Sequence, residues 1–310
     1  VREAITRHAR HCWQWITRPG RAWKWRMRTS ALEMVRAAVD IGALSPPPDV
    51  LFVSSLTGAA ELRSLLPANL RHVPLVLYMH ENQAAYPVGP DVRTPRDWDA
   101  QYALTNLMSV AAADRVLWNS DWNRRSFVTG ISTLLRHHAD STLPDLARLV
   151  NERSAVAWPP VEMDRREMSD VDRPSSRRVL HNPAVDLPAL TPPAVRVLWP
   201  HRWEHDKGPE GLLALARAAR AAHWPIRWVL LGERYDNTPP ALETLLDEFA
   251  DDIDHAGYVP DRASYAAILE ACDWVVSTAH HEFFGIAVVE AMLAGCLPWL
   301  PDRLSYPELL

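Results

Sequence analysis

His281-Glu282-Phe283-Phe284-Gly285-Ile286-Ala287-Val288-Val289-Glu290-Ala291-Met292-Leu293-Ala294-Gly295 begins as a polar loop and becomes an apolar helix. The run before it, Cys272-Asp273-Trp274-Val275-Val276-Ser277-Thr278, is apolar and of strand length. The run after it, Cys296-Leu297-Pro298-Trp299-Leu300, reads as another short strand. Strand, loop, helix and strand make the βαβ unit of a parallel sheet, and such sheets bind ligands beyond the carboxyl ends of their strands. Gly285 lets the backbone approach a ligand closely. The N–H groups of Phe284, Gly285 and Ile286 then fall at a helix N-terminus, where a phosphate is stabilised without a positive side chain. Glu282 precedes the helix and Glu290 is read a little over two turns into it. The two carboxylates suit the sugar and the ribose of one nucleotide sugar. The competing reading is a buried βα connection whose glycine merely caps or bends it. Two carboxylates so close to an apolar strand and helix favour the ligand site.

The 310 residues fit two domains of ordinary size, each with its own core. No window approaches about 18 uncharged apolar residues, so no membrane span is expected. Cys12, Cys272 and Cys296 are odd in number and far apart, which points to a reducing compartment, the cytoplasm, and not to a disulfide framework or a metal cluster. The net charge of −5 hides an uneven distribution. Residues 1–28 carry eight Lys or Arg against one acid, a local charge of +7, which leaves −12 for the remainder. Trp13, Trp15, Trp23 and Trp25 interleave with those bases. Cations with flat aromatics are what a phosphate backbone and exposed bases need. A solvated helix face with its tryptophans in a core is the alternative.

Along the chain, residues 1–11 read as helix, Trp13 to Thr17 as a short strand and 22–40 as a helix with Ala31, Leu32, Val35 and Val39 on its apolar side. A strand over Asp49 to Ser54 and a helix over Ala60 to Leu66 follow. The strand over Val73 to Met79 delivers His80-Glu81-Asn82-Gln83 at its carboxyl end, with Tyr86-Pro87 at the tail of the loop. A histidine there can face a ligand crevice, and its pKa suits proton handling near neutrality. A lone histidine is more often structural, but four polar side chains straight after a buried strand shift the balance towards a site. A helix over 98–112 and a strand over Arg115 to Trp118 precede Asn119-Ser120-Asp121, which reads either as a helix cap or as part of that site.

From 151 to 192 the pattern weakens, with a strand expected near Val156 to Trp158 and a charged loop over 162–178. Four prolines between Pro183 and Pro193 mark a boundary. The domains expected are 1–185, a linker at 186–194, and 195–310. The second restarts with a strand over Val195 to Trp199, whose carboxyl end gives Pro200-His201-Arg202-Trp203-Glu204-His205-Asp206-Lys207-Gly208 before a helix. Arg202 and Lys207 bracket this loop, where charge-assisted contacts neutralise a diphosphate leaving group. A solvated charged loop is the alternative. The strand over Ile226 to Leu231 ends at Gly232-Glu233-Arg234, a helix spans 239–249, a strand lies near Ala256 to Val259, and Asp261 caps the next helix. No Gly-x-Gly-x-x-Gly follows a first strand, which disfavours a dehydrogenase.

His201-Arg202-Trp203-Glu204-His205-Asp206-Lys207, His281-Glu282-Phe283-Phe284-Gly285 and Glu290 resemble retaining glycosyltransferases with two Rossmann-like domains facing a cleft, the GT-B architecture that uses nucleotide sugars without a metal. His80-Glu81-Asn82-Gln83 with Tyr86-Pro87, Asn119-Ser120 with Asn123 and Ser126-Phe127, and Asp302-Arg303-Leu304 with Tyr306-Pro307-Glu308 look like the tRNA-queuosine alpha-mannosyltransferase family. That family transfers mannose from GDP-mannose to the cyclopentenediol of queuosine in tRNA-Asp. The resemblance implies that Arg202 and Lys207 hold the donor diphosphate, Glu282 the sugar hydroxyls and Glu290 the ribose. It implies that Gly232, Phe283, Phe284, Gly285 and Ile286 line the donor, and that no metal or cofactor is needed. His80, Glu81, Asn82, Gln83, Tyr86, Asn119 and Ser120 would face the acceptor. His80, Arg202, Lys207 and Glu282 would be the catalytic set, in a front-face mechanism without a protein nucleophile. The family also starts with a strand and a Gly-Gly-Ser-His type loop and continues beyond Tyr-Pro-Glu. This sequence shows neither and is expected to lack pieces at both ends.

Two other classes stay open on the sequence. One is a related glycosyltransferase using another nucleotide sugar, or a lipid or small-molecule acceptor. The other is a catalytically weak tRNA-binding protein on the same scaffold.

Overall fold

Short apolar runs bounded by polar residues or proline build two all-parallel sheets. The computed structural model describes residues 2–19, 22–86, 97–138, 143, 145–162, 187–188, 193–235 and 237–310. Arg21, Pro87, most of the 162–178 loop and most of the expected 186–194 linker lie outside the described residues. The chain divides into two compact units, Val1–Pro159 and Pro160–Leu310. Leu187, in the segment expected to be linker, packs against a core of the second unit.

The first unit runs α1 (Arg2–His8), α2 (Trp23–Asp40), β1 (Leu51–Ser54), α3 (Ala59–Leu65), β2 (Leu75–Met79), α4 (Asp97–Ala112), β3 (Arg115–Trp118), α5 (Asp121–His138), α6 (Leu146–Glu152) and β4 (Ser154–Val156). The strands lie in sequence order, β1-β2-β3-β4, all parallel. Right-handed crossovers that always step the same way stack their helices on one face, and α2 to α6 pack there as neighbours. The strands alternate accordingly. Leu75, Leu77 and Met79 of β2, with Val116 and Trp118 of β3, are buried under the helices, while Val76, Tyr78 and Leu117 on the other face are half-buried.

The strand expected over Trp13 to Thr17 does not form. The i, i+2 spacing does place Trp13 and Trp15 side by side, ring centroids 5.0 Å apart. Trp13 also meets Phe52 of β1 edge-on at 5.6 Å. Among the described residues β1 pairs with β2 alone, so the alternation serves ring packing and not a hydrogen-bonded ladder.

The second unit runs β5 (Val195–Pro200), α7 (Pro209–Ala221), β6 (Ile226–Leu231), α8 (Pro240–Glu248), β7 (Ile253–Gly257), α9 (Arg262–Glu270), β8 (Trp274–Val276), α10 (Ile286–Leu293) and β9 (Leu297–Trp299). Its order, β7-β6-β5-β8-β9, reverses direction at β5, as in a Rossmann half. Val197 and Trp199 of β5 and Trp228 and Leu230 of β6 serve one core, with Leu212, Leu242 and Leu245 from the helices. Leu198, Val229 and Leu231 serve the opposite core, with Ile268, Val288 and Tyr306. Each such large apolar side chain, fully buried, stabilises the fold by about 1.5–3 kcal/mol. The strand expected near Ala256 to Val259 starts earlier, at Ile253, and stops at Gly257, whose φ is +127°. Asp254, with its carboxylate fully buried, accepts from Arg196 Nε and Arg227 Nε at 2.7 Å each and anchors that earlier start. Asp261 caps α9 as expected, accepting from Ser264 N at 2.7 Å.

Candidate active site

The strand order of the second sheet reverses between β5 and β8, and their carboxyl ends open into two loops, His201–Gly208 and Ser277–Gly285. A parallel sheet leaves a crevice at such a reversal. The loops are tied together by backbone bonds from His280 N and His281 N to Asp206 O, at 2.8 and 3.2 Å. Thr278 Oγ1 donates to Lys207 O at 3.0 Å and accepts from Trp199 Nε1 at 3.1 Å.

Lys207 is buried at the seam. Its Nζ donates to His281 O at 2.9 Å and lies 3.0 Å from Asp206 Oδ2 and 3.5 Å from Glu282 Oε2. Burial works against the ammonium, but the Glu282 and Asp206 carboxylates outweigh it and leave the Lys207 pKa raised. Burial likewise raises the Glu282 carboxyl, but Lys207, the neighbouring histidines and the Phe284 N–H together outweigh it, so its pKa ends lowered. Both groups therefore stay charged near neutrality. The second oxygen, Glu282 Oε1, accepts from Phe283 N at 3.0 Å and Phe284 N at 3.3 Å, which fixes the carboxylate against its own loop.

Gly285 caps α10 at φ +94°, a conformation that disfavours any side chain. A Cβ there would lie 3.3 Å from Tyr306 Cε1. The N–H of Phe284, expected to serve a phosphate, is engaged by Glu282. The first-turn N–H groups of α10, from Ile286 onward, have no intrahelical acceptor and are open to an anion. Because α10 begins at Ile286, Glu290 sits at the start of its second turn and not more than two turns in. Its carboxylate is oriented from α9, with Oε1 2.7 Å from Arg262 Nη2 and Oε2 2.9 Å from Tyr265 Oη.

A cavity of about 220 Å³ gathers His201, Arg202, Lys207, Glu282, Gly285 and Val288. Four residues singled out from the sequence as donor-binding therefore share one hollow. Arg202 is half exposed and 3.2 Å from Glu204. Gly232 supports the hollow from behind: its φ is +142°, and a Cβ there would meet His201 O at 1.9 Å. Phe283 is buried with its ring edge-on to His281 at 4.4 Å. Phe284 is buried and holds Ser305 through its carbonyl at 3.1 Å, whereas Ile286 is exposed.

Several participants lie in quoted motifs or elsewhere in the chain without a role assigned from the sequence. His201 Nε2 is 2.9 Å from Ser277 Oγ, which is 2.5 Å from Tyr306 Oη. Burial, then the Lys207 charge, lowers both His201 and His281 to about 4, so both imidazoles are neutral. Arg303 Nη2 donates to Ala279 O at 2.9 Å and steadies the loop after β8. Arg262, Tyr265 and Ser277 are common residue types brought in by tertiary packing, while Asp206 is the neighbour of Lys207 in its own loop.

In the first unit, the loop after β2 is built as tightly. His80 Nδ1 lies 2.9 Å from Ser55 Oγ, at the carboxyl end of β1. Burial lowers the His80 pKa, with the Glu81 carboxylate opposing. Asn106 of α4 joins the two loops, donating to Ser55 O and accepting from Gln83 N, both at 2.9 Å. Glu81 and Gln83 are half-buried and bonded to each other at 3.1 Å. Asn82 is fully buried, donating to Asn123 Oδ1 at 2.6 Å and accepting from Ala85 N at 2.8 Å. Asn119 Nδ2 donates to His80 O at 2.7 Å, and Ser120 Oγ caps α5 by accepting from Asn123 N at 3.0 Å. Asn82, Asn119 and Ser120 thus hold the His80 loop in shape, while His80, Glu81 and Gln83 remain partly accessible. Tyr86 lies beside Trp23 of α2, ring centroids 6.4 Å apart.

Among the described residues no group of three or more His, Cys, Asp or Glu is placed to hold a metal ion. No described helix is long and apolar enough to cross a membrane. The three cysteines are free thiols.

Solved structures share the fold across most of the chain. Sucrose-phosphate synthase from Thermosynechococcus elongatus superposes at TM-score 0.57 with 18% identity, covering 94% of this chain and 63% of that one. Anabaena HepE in complex with UDP gives 0.56 with 14% identity, covering 90% and 65%. At such identities the likeness speaks for the two-domain GT-B α/β architecture alone. A GDP-mannose:cellobiosyl-diphosphopolyprenol alpha-mannosyltransferase of Xanthomonas oryzae is 32% identical over 168 residues, half of this chain and 43% of its own length. The tRNA-queuosine alpha-mannosyltransferase of Drosophila melanogaster is 33% identical over 291 residues, 94% of this chain and 72% of its own length. The chain thus spans between about two fifths and three quarters of the proteins it matches. Residues 193–309 match the glycosyl transferases group 1 family. Residues 1–161, with the His80 loop and its Asn119–Asn123 support, match the N-terminal domain of tRNA-queuosine alpha-mannosyltransferase. On that match and the near full-length likeness to the fly protein, the chain belongs to the tRNA-queuosine alpha-mannosyltransferase family.

Proposed function

We propose that this protein transfers mannose from GDP-mannose to the cyclopentenediol of queuosine in tRNA-Asp, with retention of configuration. The observation that carries the reading is the Lys207–Glu282 pair, charged, buried and facing a hollow at the carboxyl ends of β5 and β8. Lys207 and Arg202 take the donor diphosphate, with the first turn of α10 on the remaining phosphate oxygens. Glu282 takes sugar hydroxyls and Glu290 the ribose diol. The bond between the sugar's anomeric carbon and the phosphate oxygen breaks with its electrons moving to that oxygen. Lys207 and Arg202 stabilise the charge that develops there, which lowers the barrier because the contact is stronger in the transition state than in the ground state. The acceptor hydroxyl attacks from the same face, and its proton passes to the departing phosphate oxygen. No protein nucleophile is used. His80, neutral and held by Ser55, orients the acceptor or the sugar. Glu81 and Gln83 lie beside it, and Asn82, Asn119 and Ser120 keep the loop in place. Both substrates are met in the cytoplasm, where the thiols stay reduced.

The test is a mass measurement of queuosine nucleosides from tRNA incubated with the protein and GDP-mannose. A gain of one hexose on queuosine, lost in Glu282→Ala and Lys207→Ala, is the expected result. The absence of any gain with folded protein that still binds GDP-mannose rejects the acceptor. The likeness to the Xanthomonas enzyme favours one second reading, a GDP-mannose-dependent transfer to a lipid-linked or small-molecule acceptor. Sugar transfer to such an acceptor without tRNA binding selects it.

A further inference from the structure

The first two turns of α2 are unusual for an exposed helix. No Asp or Glu occurs between Glu3 and Glu33. Within that acid-free stretch the helix presents Lys24, Trp25 and Arg28 to solvent, while Met27 and Ala31 face the core. Trp25 is 70% exposed, the most exposed tryptophan among the described residues. An exposed indole alone carries no meaning; here it lies within an acid-free stretch, among cations and next to further aromatic rings.

Trp23 packs against Tyr102 at 5.4 Å and Tyr86 at 6.4 Å, so the helix start is joined through aromatic rings to the tail of the His80 loop. The Arg28 guanidinium lies over the Tyr102 ring at 5.7 Å and bonds to Gln101, which fixes its charge in place. Lys24 Nζ sits 5.6 Å from the Trp23 ring. Flat rings interleaved with cations, continuous with the loop proposed to meet the acceptor, match the two needs of an unpaired nucleotide segment. The rings stack bases and the cations take phosphates. Leu32 and Val39, expected on the apolar side of α2, are instead exposed and follow Trp25 at seven-residue spacing, one apolar side chain per two turns, a stripe too narrow for an amphipathic face that inserts into lipid.

We infer that Lys24, Trp25 and Arg28, backed by Trp23, Tyr86 and Tyr102, form a platform for a single-stranded RNA loop, on which Trp25 stacks an unpaired base beside the nucleoside delivered to His80. This rests on the RNA-acceptor reading above and adds to it where the loop is gripped. The platform recognises unpaired structure and not sequence, because every base has a face to stack.

The experiment measures binding of the protein to a stem-loop RNA with an unpaired loop and to a fully paired RNA of the same stem, at two salt concentrations, by fluorescence anisotropy. GDP binding is followed in parallel. Trp25→Ala is expected to weaken loop binding by about tenfold, with Trp25→Phe restoring most of it. Lys24→Gln is expected to reduce the slope of affinity against salt by about one contact. All three variants keep GDP affinity, since none touches the donor hollow. Unchanged loop binding in Trp25→Ala, with the wild type binding RNA, overturns the platform and leaves the acceptor reading standing. So does equal weakening for loop and duplex. A loss confined to anionic vesicle binding or self-association overturns it too, in favour of a membrane or a second copy. A wild type that binds GDP but no RNA rejects the acceptor reading, and the platform falls with it.

Discussion

Lys207 Nζ lies 3.5 Å from Glu282 Oε2, and each charge is the largest influence opposing burial in keeping the other ionised. Removing Lys207 leaves the Glu282 and Asp206 carboxylates without their shared cation, whereas removing Glu282 leaves Lys207 with Asp206. Such a loss costs about 3–5 kcal/mol in a buried pair. Lys207→Met alone is therefore expected to lower the urea midpoint sharply. Glu282→Gln should cost less, since an amide oxygen can still accept from the Phe283 N–H. The double variant Lys207→Met with Glu282→Gln should be more stable than the sum of the single losses predicts. A double-mutant cycle by urea denaturation reads the coupling, and strict additivity refutes the pairing. Catalysis should not recover in the double variant, because the donor loses both its cation and its sugar acceptor.

Glu290 shows how a binding carboxylate is prepared. Each oxygen already accepts from a group of α9, Arg262 or Tyr265, which leaves a second lone pair on each for a diol. Burial first, and then Glu290 itself, raises the Tyr265 pKa, so the phenol remains a donor throughout the working range. Tyr265→Phe is expected to raise KM for the nucleotide sugar by about three- to tenfold with kcat little changed, the mark of lost uniform binding. Calorimetry should show GDP weakened and 2′,3′-dideoxy-GDP unaffected. Equal weakening of both ligands means Tyr265 matters only to packing.

The two neutral histidines at the hollow make the second unit sensitive to acid. His201 and His281 both have folded pKa values lowered to about 4. In the unfolded chain a histidine takes up its proton near pH 6.5. As pH falls from about 6.5 to about 4, the unfolded state binds protons that the folded state refuses, so stability declines over that window and levels off below it. At about 1.4 kcal/mol per pKa unit, each histidine contributes up to roughly 3 kcal/mol to the loss. Urea midpoints taken at neutral pH and near pH 5 should differ, and the difference should shrink in His201→Gln. A pH-independent midpoint across this window contradicts the burial of neutral imidazoles.

What the sequence revealed and what it concealed follow the range of the interactions. Arg115 to Trp118 and Ile226 to Leu231 are short apolar runs with clear ends, and the strands form over those residues. Arg202, Lys207 and Glu282 stand out in the sequence as candidates because they sit in βα loops, next to the strands that present them, and the structure brings the three to one hollow. Trp13 to Thr17 has the alternation of a strand but no pairing partner among the described residues, and pairing is a non-local property. The short helix α6 leaves no legible pattern, because seven residues give too little periodicity. Ser120 was legible as a cap because capping is local, while Ser55 and Asn106 meet the His80 loop only through folding. Arg262 and Tyr265 stand 28 and 25 residues before Glu290, and neither residue type announces a site.

Gly232 offers a further test of how the hollow is supported. Its φ of +142° lies where a side chain is strained, and a Cβ would sit 1.9 Å from the His201 carbonyl oxygen. Gly295, at φ +106°, has nothing within 4 Å of the same position. Both Gly→Ala changes incur backbone strain of about 1–3 kcal/mol. Only Gly232→Ala must also push the loop that carries His201, Arg202 and Lys207. Gly232→Ala is therefore expected to lower stability more than Gly295→Ala and to weaken GDP binding by about tenfold or more through displacement of that loop. Gly295→Ala should lower stability while leaving GDP affinity within about twofold. Urea denaturation and calorimetry with GDP on the two variants separate strain from displacement. If the two behave alike in GDP binding, the close approach of β6 to the His201 carbonyl has no part in shaping the donor site.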